Sequence, residues 1–162
     1  MCINEKITLL ESKAGPTNLS QNKPTHQISF MATASRDIKP IVGGTLIFDQ
    51  VLTNKGGAYN RNTGIFTAPV SGSYFFVVTV SIPTPSPANG QDYVRIDIMK
   101  NGKLSGYLFI GTQGIWIKRS ENTLLELSKG DKVNLHVRTT GSGFQRIAGG
   151  SYHSHFSGFL IN

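Results

Sequence analysis

Hydrophobic and polar residues alternate with a period of two along much of the chain from His26 onward. In residues 93–99 (YVRIDIM), Val94, Ile96 and Ile98 fall on one face and Arg95 and Asp97 on the other. Residues 132–138 (KVNLHVR) repeat the pattern, and each run predicts a half-buried antiparallel strand. Asn101-Gly102, between Lys100 and Lys103, predicts a two-residue hairpin turn, because both residues tolerate positive φ. Ser128-Lys129-Gly130-Asp131 is a second tight connection. Short strands with turns roughly every ten residues predict an all-β jelly-roll or sandwich of antiparallel sheets over residues 26–162, without internal repeats. Four Glu and eighteen Gly in the whole chain are a poor composition for helices.

Two segments break the alternation. Residues 72–81 place Tyr74, Phe76, Val78 and Val80 on one face but Phe75 and Val77 on the other. Near the C-terminus, Phe156 and Leu160 oppose Phe159 and Ile161. A strand that is apolar on both faces must be covered on both. In a two-layer sandwich the second cover comes from another subunit or from a tail folded over the sheet. The first is the expectation here, with Tyr74, Phe75, Phe76, Val77, Phe156, Phe159 and Ile161 as interface residues.

Residues 1–25 read as a tail or the end of a stalk. Ile3, Ile7 and Leu10 form a short helical stripe, and Gly15-Pro16 opens a polar linker. Met1 to Lys6 lacks the basic-then-apolar order of a secretory signal. Cys2 is expected to link chains under oxidising conditions, since one cysteine makes neither an intrachain disulfide nor a multi-thiolate zinc site.

The 162 residues suit one domain. With 15% charged and 38% hydrophobic residues, the chain is no highly charged disordered segment, and no apolar run reaches the ~20 residues of a membrane span. Sixteen Lys and Arg against nine Asp and Glu give +7, which favours an acidic partner. Only Lys118 and Arg119 are adjacent, so no nucleic-acid-binding stripe is present. No nucleophile elbow, His-Glu-x-x-His or Walker loop occurs, Gly141-Ser142-Gly143 reads as loop punctuation, and His153 and His155 read as packed or surface histidines. The expectation is a non-enzyme without cofactor or metal.

Residues 48–78 (FDQVLTNKGGAYNRNTGIFTAPVSGSYFFVV) resemble the signature of the complement C1q domain, in the C1q/tumour-necrosis-factor superfamily. The spacing is carried by Phe48, Asn54, Tyr59, Phe66, Gly72, Tyr74 and Phe76. Residues 128–137 (SKGDKVNLHV) and 155–161 (HFSGFLI) resemble the same family. Val78 departs from it, standing where an aromatic is usual, and no Gly-X-Y repeat precedes the domain in this sequence. The resemblance implies a ten-stranded jelly roll, a compact homotrimer and extracellular recognition, including the glycan-binding lectins of invertebrate immunity. Family members hold calcium through an acidic residue in a connection that here reads Ile110-Gly111-Thr112-Gln113-Gly114; with no carboxylate in it, calcium is not carried over.

A sugar site needs a flat aromatic face and fixed polar groups. Two loops offer them. Residues 83–93 (PTPSPANGQDY) are stiffened by three prolines and end in Gln91, Asp92 and Tyr93, close to Arg95. Residues 141–152 (GSGFQRIAGGSY) present Phe144, Gln145, Arg146 and Tyr152, with Arg146 able to fork onto a carboxylate. Alternation turns Arg95 and Arg138 outward, the resemblance implies that their strands are neighbours in the outer sheet, and Trp116 is expected in the core or an interface. The function expected is a secreted trimeric lectin for glycans on microbial or foreign surfaces. The alternatives are a receptor-binding ligand of the tumour-necrosis-factor type and a structural or storage protein.

Overall fold

A computed structural model describes residues 27–83, 92–112, 115–150 and 152–161. The predicted tail with Cys2, and Gln91 with most of the proline-rich loop, lie outside these residues. The strands are β1 (Ser29–Thr33), β2 (Gln50–Lys55), β3 (Tyr59–Asn60), β4 (Ile65–Thr67), β5 (Gly72–Ile82), β6 (Asp92–Lys100), β7 (Lys103–Thr112), β8 (Ile117–Leu127), β9 (Lys132–Thr140) and β10 (His155–Ile161). They form two antiparallel five-stranded sheets, β2-β1-β10-β5-β8 (sheet I) and β3-β4-β9-β6-β7 (sheet II). This is the expected all-β jelly-roll sandwich.

The alternation of β6 and β9 does what the pattern predicts. Val94, Ile96, Ile98, Val133 and Leu135 are fully buried between the sheets. The β6–β7 hairpin turns at Asn101 and Gly102 with φ of 49° and 77°, as a type I′ turn requires. The Asn101 amide donates to Asp131 at 2.9 Å and accepts the Lys132 N–H at 2.8 Å, which ties the hairpin to the β8–β9 turn.

An aromatic cluster joins the sheets. Phe30 stacks on Tyr59 (4.8 Å between centroids) and meets Phe156 edge-on at 5.0 Å, while Phe66 packs edge-on against Phe76 at 5.1 Å and Tyr74 at 5.5 Å. The Tyr59 hydroxyl donates to the Phe48 carbonyl (3.0 Å) and accepts the Phe48 N–H (3.2 Å). Burial pushes this hydroxyl up to about 12. The Asn54 amide closes on the Tyr59 backbone at 2.9 and 3.1 Å. Tyr74, Phe76 and Phe156 are thus core residues of their own chain, at 0–1% exposure. This corrects their assignment to a subunit interface: they occupy the inward positions of β5 and β10, where no partner can reach them.

The start of β1 pairs with the end of β10, so residues 29 and 161 lie near one end of the sandwich. At the other end, the last residues of β5, β7 and β9 meet the first residues of β6, β8 and β10.

Candidate functional site

The two solvent faces of the sandwich differ in chemistry. On sheet I, cross-strand pairing aligns Phe159 with Phe75 and Phe75 with Leu124, and the two Phe rings lie 5.7 Å apart. Phe159, Leu124 and Ile161 are 47%, 60% and 40% exposed, and Phe75 and Val77 are half-buried. The second apolar face of β5 and β10 is therefore real, and among the described residues nothing covers it. Towards the far end this face turns polar, with Thr79 and Ser120 sharing a hydrogen bond at 2.7 Å beside His155.

His155 is half-buried, and its Nδ1 has no hydrogen-bond partner among the described residues. Burial and then the nearby Lys118 charge lower its pKa below the ordinary 6.5. The stability carried by the neutral ring is therefore fully present above pH 6.5 and is lost as pH falls through the folded-state value. Thermal melts should show the melting temperature dropping below pH 6.5, and His155→Gln should flatten that drop. An unchanged slope in the variant would exclude His155 as its source.

On sheet II the solvent face carries arginines and aromatic rings. Asp97 sits on this face yet is fully buried, because two guanidiniums cover it: Arg95 Nε lies 2.8 Å from Oδ1 and Arg138 Nε 2.7 Å from Oδ2. Burial pushes the Asp97 carboxyl up, but the hydrogen bonds from Arg138 and Arg95 outweigh it and hold the pKa below the ordinary carboxylate value. Arg138 reaches this position through a β-bulge. Arg95 pairs with Thr139 and Ile96 with Val137, so Arg138 is the extra residue of β9. Bulges re-aim side chains in this way. The Arg95 guanidinium lies over the Tyr107 ring at 4.4 Å, and Tyr93 stacks on Phe109 at 5.6 Å. Tyr107 and Phe109 are half exposed.

Both predicted loops adjoin the same end of the sandwich. Gly141 N–H donates to Tyr93 O and Ala148 N–H to Ser81 O, each at 2.8 Å. Their residues are not equally placed to meet a ligand. Asp92 is 3% exposed and faces inward with Val94, which corrects its reading as a ligand contact; its Oδ1 has no partner among the described residues. Phe144 packs on the core, while Gln145 is exposed. Arg146 pairs with Asp37 at 2.9 Å, and Asp37 also accepts the Gly149 N–H. It is a loop fastener with both partners about half exposed, where such a pair contributes about 0–1 kcal/mol. Tyr152 is 58% exposed, in a left-handed backbone conformation. Trp116 is 49% exposed against His153, so it is not a core residue.

A groove of about 450 Å³ opens between the free edges of β7 and β8, lined by residues 106–109 and 119–121. Pairing with Val80 and Val78 places Arg119 and Glu121 on the core-facing side of β8, where the sandwich edge opens to water. The sequence reading missed this groove and the rings of Tyr107 and Phe109. Alternation in residues 103–112 signals the rings; the groove needs the β7–β8 juxtaposition.

The model of the C1q domain matches residues 29–161. Among curated proteins, the chain is similar to a complement C1q subcomponent of Mus musculus, 32% identical over 139 residues, covering 86% of this chain and 52% of that protein. It is likewise similar to complement C1q tumor necrosis factor-related protein 3 of Mus musculus, 33% identical over 146 residues, covering 85% and 52%. The chain spans about half the length of these relatives. Among solved structures, the globular domain of zebrafish complement 1qA matches with a TM-score of 0.67 at 21% identity, covering 84% of this chain and 98% of that one. Murine APRIL matches with a TM-score of 0.64 at 7% identity, covering 83% and 99%. At these identities the structural matches speak for the fold alone.

Proposed function

This chain belongs to the C1q domain family, and from that premise we propose that it is a non-enzymatic, extracellular recognition protein that assembles as a homotrimer and binds glycans on microbial or foreign surfaces. The observation that carries the reading is the unlike chemistry of the two solvent faces. Sheet I presents a compact apolar row of Phe159, Phe75 and Leu124 with Ile161 beside it, suited to burial against other copies. Burying a large apolar side chain contributes roughly 1.5–3 kcal/mol, so a few per chain sustain an obligate interface. Sheet II presents rings and guanidiniums, the flat apolar surface and oriented donors that a sugar requires. If sheet I is turned to the partners, sheet II faces outward on every copy. Cys2 adds a covalent link between chains in this reading.

The test pairs two measurements on the full chain. Sedimentation at micromolar concentration is expected to give three times the chain mass, and a glycan array is expected to show binding that a free sugar inhibits. A monomer mass overturns the assembly. Saturable binding to one protein receptor, indifferent to sugar, replaces the lectin with a receptor ligand.

A further inference from the structure

The Arg95–Asp97–Arg138 cluster is more ordered than a solvated strand face needs to be. Arginines that serve solubility extend separately into water; here two converge on one carboxylate that has no solvent exposure. A bulge in β9 brings the second one in. Two guanidiniums against one carboxylate leave a surplus of one positive charge at a fixed place, in a chain whose net charge is +7. Among the described residues Asp97 is the one carboxylate paired with either arginine. Each contacts it through Nε, and a guanidinium carries four further N–H donors on its terminal nitrogens. These donors are planar and suit a second planar carboxylate.

The rings stand next to this charge. Phe109 is the cross-strand partner of Arg95, and Tyr107 that of Asp97. Both rings are half exposed, and Tyr107 lies under the Arg95 guanidinium. The neighbouring groove offers no such charge preference, since its Arg119 and Glu121 are of opposite sign. Arg146, the arginine of the 141–152 loop, is matched one-to-one by Asp37.

We propose that the solvent face of sheet II binds a carboxylate-bearing sugar, its acid group held by Arg138 and Arg95 and its ring resting on Tyr107 and Phe109. This rests on the lectin reading above and narrows it to one ligand class and one place. A neutral sugar gains only the rings. An acidic one adds charge-assisted hydrogen bonds, each good for about a tenfold to hundredfold change in affinity.

The test uses an array of carboxylated glycans (oligogalacturonate, alginate oligomers and sialyllactose), each beside its methyl-esterified form, which keeps the ring and removes the charge, together with sulfated and neutral microbial glycans. At least one acid form is expected to bind tenfold or more tightly than its ester. Arg138→Gln should abolish that preference; because it also takes a charged partner from buried Asp97, its melting temperature should fall, so the ratio of acid to ester binding is read at a temperature where the variant is folded. Arg138→Lys should restore it poorly, since an ammonium lacks the fork. Phe109→Ala, whose ring stacks on Tyr93 and not on a guanidinium, should weaken acid and ester by the same factor. Equal binding of acid and ester across the panel, or normal acid preference in Arg138→Gln, overturns the proposal while leaving a neutral-glycan lectin standing. Preference for sulfated over carboxylated sugars overturns the carboxylate assignment. Absence of binding to every glycan overturns this inference and the lectin reading together.

Discussion

Phe159→Asp combined with Leu124→Asp will leave a folded monomer in place of the proposed trimer. Both side chains are largely exposed in the single chain, at 47% and 60%, and flank Phe75 in one cross-strand row. Replacing them removes apolar contact without opening a cavity, so the far-ultraviolet circular dichroism should not change. In an assembly through sheet I, the same substitutions bury two carboxylates per chain against apolar surface, which is costly. The consequence for function is larger than that for stability. Three weak sites acting together on a dense glycan surface gain about 10²–10⁴ in avidity, and that gain disappears with the trimer. Binding of the monomer to an isolated soluble sugar should match the wild type. A double variant that still sediments as a trimer would remove sheet I from the assembly.

Period-two alternation and the turn spacing were enough to read an antiparallel sandwich or jelly roll, and the resemblance supplied the ten strands. β6 and β9 were visible because their inward residues are aliphatic and their outward ones charged, and the β6–β7 hairpin because Asn101-Gly102 has few other conformational uses. The same parity, followed one step further, places Asp92 inward with Val94; position beside a loop suggested a ligand contact, and the pleat decided otherwise. In β5 and β10 the sequence revealed that both faces are apolar but not which was already filled. That depends on the other sheet, whose Phe66 packs on Phe76, and on Phe30 of the neighbouring strand, which packs on Phe156. Alternation made Arg95 and Arg138 legible as outward residues, and the family resemblance made their strands neighbours. Their convergence on Asp97 was not, because it depends on a bulge, and a bulge changes register without a strong local signal. The Arg146–Asp37 pair joins residues more than a hundred positions apart and has no sequence signature at all.

Gly149→Ala will destabilise the loop end of the sandwich severely while sparing the face of sheet II. A Cβ at Gly149 would stand 1.8 Å from the Arg36 carbonyl oxygen, 2.1 Å from its carbon and 2.7 Å from the Asp37 nitrogen. All three are backbone atoms, so no rotamer change relieves the clash and the two segments must part. Parting them breaks the paired Ile38–Ile147 hydrogen bonds of 2.9 Å, the Gly150 to Ala34 bond of 2.8 Å and the Asp37 contacts to Gly149 and Arg146. Ile147 and Ala34, both fully buried, lose their cover. Buried backbone groups left without partners cost about 1–3 kcal/mol each, so a loss of about 3 kcal/mol or more is expected, with a melting temperature lower by roughly 10 °C. This substitution also separates the two candidate ligand locations. Arg95, Arg138, Tyr107 and Phe109 belong to β6, β9 and β7, whose pairing does not involve Gly149. At a temperature where the variant is folded, acidic-sugar binding should persist if the site is on sheet II. It should fall in step with the loosened loop if residues 141–152 form the site. The midpoint of thermal unfolding and a binding titration on the same sample decide between the two.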